Sequence, residues 1–125
     1  MAKAFLSAAT HEEFEQLLQK LQKSGAAIIV EGKKDRAALE KLGLASSCIF
    51  VLNKTPLFVV AEAVAKNHST AAILTDLDAE GRKLYGKLST LLQRLGIKID
   101  NALRNFLFKS TQLRQIEGIS KIIQQ

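Results

Sequence analysis

Four acidic side chains stand at two places where an uncharged run gives way to a glycine. Glu31 follows Ala26 to Val30 and precedes Gly32, while Asp76, Asp78 and Glu80 follow Ala71 to Thr75 and precede Gly81. Three anions at alternate positions repel one another, and a divalent cation with oxygen ligands is a natural counter to that repulsion. Such an ion also polarises a phosphoryl oxygen and offsets charge developing at phosphorus. The same residues admit a plainer use. Asp78 can cap the helix that follows, with Glu80 in its first turn near the positive end of the dipole. On this stretch alone both readings stay open.

The elements that must position these acids alternate between strands and helices. Thr10 and Glu13 have the spacing of a capping box, with Thr10 as N-cap, and Phe14, Leu17, Leu18 and Leu21 then share one helical face before Ser24-Gly25. Ala26 to Val30 reads as a strand buried on both faces, as in a parallel sheet under helices. A helix from Lys33 to Leu42 follows, with Ala37, Ala38 and Leu42 inward and Gly43 as its stop. Cys48 to Leu52 is a second apolar strand, and Thr55-Pro56 reads as an N-cap and first helical position for a helix reaching Lys66. Ala71 to Thr75 is the third strand. A helix over 80–95 follows, with Leu84, Leu88, Leu91, Leu92 and Leu95 inward, and then a short edge strand, Ile97 to Asp100. From Asn101 the spacing of Leu103, Phe106, Leu107, Leu113, Ile116, Ile119 and Ile123 predicts helix, weakened at Gly118. Strand–helix units with short connections predict a parallel α/β sheet with right-handed crossovers. Ligands of such sheets sit beyond the carboxyl ends of the strands, where the chain order reverses. Glu31, Asn53-Lys54 and the run from Asp76 to Glu80 stand at those ends.

Length and charge narrow the classes. A chain of 125 residues is one domain with room for a core. Its single cysteine, Cys48, reads as a buried small hydrophobe and excludes a disulfide framework or a thiolate metal cluster. No run approaches a membrane span, and the opening MAKAFLSAAT has no sustained apolar core, so a cytoplasmic protein without a signal peptide is expected. The net charge of +6 is uneven: residues 1–25 sum to zero, residues 26–100 to +3 and residues 101–125 to +3. A basic face beside an acidic pocket suits a polyanion that meets its metal there.

Taken in order, IIVEGKKD (residues 28–35) and ILTDLDAEG (residues 73–81) resemble the Toprim domain. That domain is shared by topoisomerases, bacterial-type primases, overcoming-lysogenization-defect nucleases, recombination proteins and the nuclease that matures small ribosomal RNA. The resemblance covers roughly residues 26–100 and is strongest to small stand-alone Toprim proteins. It implies a Rossmann-like Toprim fold, a central parallel sheet of about four strands with helices on both faces. An N-terminal helix (1–25) would pack on a Toprim core (26–100), followed by a basic helical extension (101–125). By the same resemblance Glu31 matches the family's motif glutamate, a proposed general acid or base, and Asp76 and Asp78 match its Asp-x-Asp. Glu80 matches the third acid of the type IA topoisomerase version, in which arginine stands where this chain has Ala79. Gly32 and Gly81 match the motif glycines. The implied cofactor is Mg²⁺, with Mn²⁺ as an alternative, held by Asp76, Asp78, Glu31 and Glu80. The implied activity is Mg²⁺-dependent phosphodiester cleavage or RNA processing.

Lys33, Lys34, Arg36, Lys54 and Arg82 are the candidate contacts to a phosphate backbone. A solvated helix start is the plainer reading of the first three. Asp35 is either an outer neighbour of the metal or a first-turn helix acid. His11 and His68 have no apparent partner, and the lone Tyr85 lies within a helix, without the separate domain that a topoisomerase nucleophile needs. Phe50, Phe58, Phe106 and Phe108 read as packing residues, so base-specific reading is not suggested. Three other functions compete. A noncatalytic RNA- or DNA-binding module would use the basic face and a structural metal. A receiver-like phosphoacceptor would need paired acids after its first strand, and a haloacid-dehalogenase phosphatase would need Asp-x-Asp there; Glu31-Gly32 supplies neither. Expected partners are RNA or DNA and no membrane, with a homodimer as one way to grip a polymer and other nucleic-acid-processing proteins as further candidates.

Overall fold

Burial on both faces sorts the strands into the middle of the molecule. The computed structural model describes residues 7–111 and 113–119. Strands β1 (Ala27–Val30), β2 (Ile49–Val51), β3 (Thr70–Ile73) and β4 (Lys98–Ile99) form one sheet in the order β2-β1-β3-β4. All neighbours run parallel, with Ile28 opposite Ile49 and Ile29 opposite Ile73. Side chains alternate as the pleat requires. Ile28, Val30, Ala72 and Leu74 face one apolar cluster, and Ala27, Ile29, Ala71 and Ile73 face the other. The first cluster is closed by α1 (Ala8–Ser24), α2 (Lys33–Lys41) and α5 (Ala102–Ser110), where Phe14 stacks on Phe106 with ring centroids 5.9 Å apart. The second is closed by α3 (Leu57–Asn67) and α4 (Ala79–Arg94) through Val60, Val64, Leu88 and Leu92. The protein is therefore an α/β fold of Rossmann-like form, with helices on both faces of a parallel sheet. Among the described residues no helix is long and apolar enough to cross a membrane.

Several local expectations are corrected. Ser7, not Thr10, caps α1: its backbone is extended and its Oγ accepts from the Thr10 N–H at 3.1 Å. Pro56 rather than Thr55 stands at the cap of α3. Ala37 and Leu95 are exposed, and Cys48 is only half-buried because it closes a 3₁₀ turn, Ser46–Cys48, before β2 begins. Phe58 is not a packing residue, being 57% exposed in the first turn of α3. The C-terminal helical pattern also breaks. Helix α5 ends at Ser110, and Leu113, Ile116 and Ile119 are buried from a strap with one 3₁₀ turn, Ile116–Gly118. Its backbone bonds go to another element: Leu77 N–H donates to the Arg114 carbonyl at 2.8 Å, and Ile116 N–H to Asp76 Oδ1 at 2.8 Å. Ile123 lies outside the described residues.

The chain leaves β1 for β2 on one side and returns to β3 on the other. The reversal falls between β1 and β3, and their carboxyl ends carry Glu31 and Asp76.

Candidate functional site

Parallel register brings the two acidic turns together. Ile29 lies opposite Ile73, and Leu74 N–H extends the pairing to the Ile29 carbonyl at 2.8 Å. Glu31 and Asp76 then meet just beyond the strand ends, where Glu31 Oε2 accepts the Asp76 N–H at 2.7 Å across 45 positions of sequence. Asp76 Oδ1 accepts the Ile116 N–H of the strap. Each carboxylate thus has one oxygen fixed by a backbone donor and a second that these bonds leave available.

Asp78 and Glu80 are used differently. Asp78 is the N-cap of α4, its Oδ1 accepting from Gly81 N–H at 2.7 Å, and Glu80 is exposed in the first turn. Among the described residues no three His, Cys, Asp or Glu side chains are gathered closely enough to hold a metal ion. Gly81 itself is required by contact, since an added Cβ would overlap the Asp76 carbonyl oxygen. Asp35 is 7% exposed and returns its Oδ2 to Gly32 N–H at 2.9 Å, which makes it a first-turn acid of α2 that also lines the cleft.

That cleft has a volume of about 410 Å³. Glu31, Asp35 and Asp76 line it with Gly32, Lys33, Lys34 and Asn53, and the strap adds Gln115 and Glu117. Crowding of anions is visible in their protonation. Burial raises the pKa of Glu31, and the charges of Asp76, Asp78 and Asp35 raise it further against the Asp76 N–H bond. Burial likewise raises Asp76, with Asp78 and Glu117 adding to the rise and the Ile116 N–H and Arg104 opposing it. Asp35 is raised by burial and by Asp76 and Glu117.

The basic candidates divide. Lys33 and Lys34 are exposed on the cleft wall at the start of α2. Arg36 lies on the flank of that helix, with Nε 3.4 Å from Glu40 Oε2 and Nη2 donating to the Ser46 carbonyl at 3.3 Å. Lys54, at φ 69°, follows the cleft residue Asn53, and Arg82 is exposed in the first turns of α4. Of the residues set aside, His68 Nδ1 is 2.8 Å from the Gly25 carbonyl and its ring meets Phe50 edge-on.

Sequence reasoning missed Arg104, Gln115 and Glu117. Arg104 is 8% exposed beneath the site and donates from Nη1 to the carbonyls of Ile73 (3.2 Å) and Thr75 (2.6 Å). Its signal was present: Arg104 falls between Leu103, Phe106 and Leu107 on the apolar side of α5, where an unpartnered cation is costly. Nothing local marks Glu117, because only the strap's tertiary bonds carry it to the cleft.

Fold and site together define a Rossmann-like α/β domain with an acidic, lysine-rimmed cleft at its topological switch point. No protein-family model matches the chain. It is 38% identical over 112 residues to the UPF0292 protein of Pyrococcus horikoshii, a match covering 90% of this chain and 83% of the relative. It is 35% identical over 116 residues to that of Methanocaldococcus jannaschii, covering 86% and 90%. The chain belongs to the UPF0292 family. A solved structure of a protein from Aquifex aeolicus is similar with a TM-score of 0.75 and 30% identity, covering 85% of this chain and 94% of that one.

Proposed function

We propose that this is a Toprim-type protein that acts on nucleic-acid phosphodiesters with Mg²⁺, as a nuclease or RNA-processing factor of the cytoplasm. The observation that carries the reading is the Glu31–Asp76 contact at the switch point, within a cleft whose wall bears Lys33 and Lys34. The donors fit the ion. Mg²⁺ takes oxygen ligands, keeps several waters and is held by one or two carboxylates. Glu31 and Asp76 each offer one oxygen that a backbone bond leaves available. Asp78 has its second oxygen for a contact through water, and Glu80 is exposed in the first turn of α4. When bound, Mg²⁺ would supply Lewis-acid stabilisation of charge on a phosphoryl group.

The chain's own groups account for the remaining steps. Lys33 and Lys34 hold phosphate at the cleft mouth, assisted by the N-terminus of α2. Glu31, at the cleft with one oxygen held by the Asp76 N–H, is the group this reading assigns to carry a proton to or from a reacting oxygen. Strap residues Gln115 and Glu117 also line the cleft, and their 3₁₀ turn packs against α2.

One observation favours a second reading, a noncatalytic nucleic-acid-binding module. Asp78 spends an oxygen on its cap and Glu80 stands outside the cleft, so the compact acid set is smaller than the motif. A panel of single- and double-stranded RNA and DNA in Mg²⁺ and Mn²⁺ separates the two. The nuclease reading predicts cleavage that Asp76→Asn and Glu31→Gln abolish. The module reading predicts salt-sensitive binding with no cleavage on any substrate.

A further inference from the structure

Arg104 is the buried cation that the proposed chemistry does not use. Its guanidinium carbon lies 4.7 Å from the Tyr85 ring centroid and 5.0 Å from that of Phe108, so two aromatic faces hold it in place. From there Nη1 donates to the Ile73 and Thr75 carbonyls and reaches Thr75 Oγ1 at 3.3 Å. Thr75 Oγ1 in turn donates to the Gly81 carbonyl at 2.7 Å, and Gly81 is the residue pressed against the Asp76 backbone. The contacts form one chain: Arg104, the end of β3, Thr75, the start of α4, and the backbone that carries Asp76.

We infer that Arg104 is a positioning residue, fixing through Thr75 and Gly81 the direction in which Asp76 presents its carboxylate to a divalent ion. The inference rests on the metal reading given above. It has a competitor with the opposite sign. Arg104 is also a positive charge near Asp76 and Glu31, and charge alone would repel a cation from the cleft. If charge governs, removing Arg104 tightens metal binding; if position governs, removal weakens it. Geometry favours position. The donor bonds of Nη1 go to backbone carbonyls and a hydroxyl, not to a carboxylate.

Mn²⁺ titration of the full chain, followed by calorimetry or by the paramagnetic signal of free Mn²⁺, distinguishes these cases. Arg104→Met should weaken Mn²⁺ by about tenfold or more, as loss of a supporting contact behind a metal ligand does. Arg104→Lys, which restores charge and one donor, should recover part of the affinity. Thr75→Val keeps the guanidinium but removes the hydroxyl that links it to Gly81, and it should weaken Mn²⁺ as well. Unchanged or tighter binding in Arg104→Met overturns the inference. Should that variant fail to fold by circular dichroism, Thr75→Val decides: weaker binding supports positioning, and unchanged binding overturns it. A wild-type chain that takes up no Mn²⁺ overturns the metal reading and this inference with it. A wild type that binds while the variants match it overturns the inference alone.

Discussion

The turns after β1 and β3 have the same ingredients and distribute them differently. Each follows a buried strand, contains a glycine and two or more acids, and opens a helix. After β1, Asp35 serves its own helix by accepting from Gly32 N–H, and Glu31 reaches across to the other turn. After β3, Asp78 serves its own helix by accepting from Gly81 N–H, and Asp76 takes the Ile116 N–H of the strap. In each turn one acid is local and one crosses the site. The crossing acids are those whose proximity no helix start explains, which is why Glu31 and Asp76 carry the functional reading. The glycines differ as well. Gly81 is pinned against backbone, whereas a Cβ at Gly32 would meet only Asp35 Oδ2, at 3.8 Å.

The contrast between the glycines gives the largest expected effect. Gly81→Ala should cost at least about 3 kcal/mol in urea unfolding, because an overlap with backbone cannot be relieved by a rotamer change. Gly32→Ala should stay within about 1 kcal/mol of wild type. Equal costs would erase the distinction between the turns.

The local acids come next. Asp78→Ala and Asp35→Ala should each cost about 0.5–2 kcal/mol through a lost cap. Asp76→Asn, which keeps the shape and an acceptor oxygen, should cost less stability and yet remove metal-dependent activity. A stability loss shared equally by all three would mean that no acid is reserved for a ligand.

Protonation sharpens the same division. Glu31, Asp76 and Asp35 have pKa values raised in the folded chain, so between the ordinary carboxylate value and the folded value the native state binds more protons than the unfolded one. Their contribution to stability is present at low pH and is lost as pH rises through the folded values. Melting temperatures measured as pH is lowered from neutrality towards the ordinary carboxylate range should rise through these groups, and the rise should be smaller in Glu31→Gln. Mg²⁺ at pH 7 should recover part of that difference. A melting temperature that falls over this range to the same extent in wild type and Glu31→Gln would contradict it.

The smallest effects concern the rim. Replacing Lys34 with Ala should reduce the slope of log affinity against log salt for an oligonucleotide by about one, and Arg36→Ala should leave it nearly unchanged. Reversal of that order would move the polyanion path from the cleft wall to the flank of α2.

The sheet was largely legible in the sequence, and so was the pairing of Glu31 with Asp76. Continuous apolar runs mark strands buried on both faces, and short parallel units force their ends to one side. The plainer use of Asp78 was legible too, since its spacing to Gly81 is that of a cap. What escaped depends on tertiary bonding. Leu113, Ile116 and Ile119 suit a helix by spacing, but the Arg114 carbonyl and Ile116 N–H are claimed by Leu77 and Asp76, and the strap departs from helix to reach them. Glu117 enters the cleft only by that departure. Arg104 counts by charge as one more base of a basic segment, and only its place among Leu103, Phe106 and Leu107 on α5 marks it as inward. Phe58 misleads in the opposite direction, since an apolar residue in a helix is read as core and this one faces outward.

Glu31 and Asp76 are proposed to form one divalent-ion site to which the local acids are accessory. Titration of Mn²⁺ into wild type, Glu31→Gln, Asp76→Asn and Asp35→Asn tests it most directly. The expected result is saturable binding by wild type, a large loss in the first two variants and most of the affinity retained in Asp35→Asn. Binding by Glu31→Gln and Asp76→Asn as tight as that of wild type, or no binding by wild type, would contradict it.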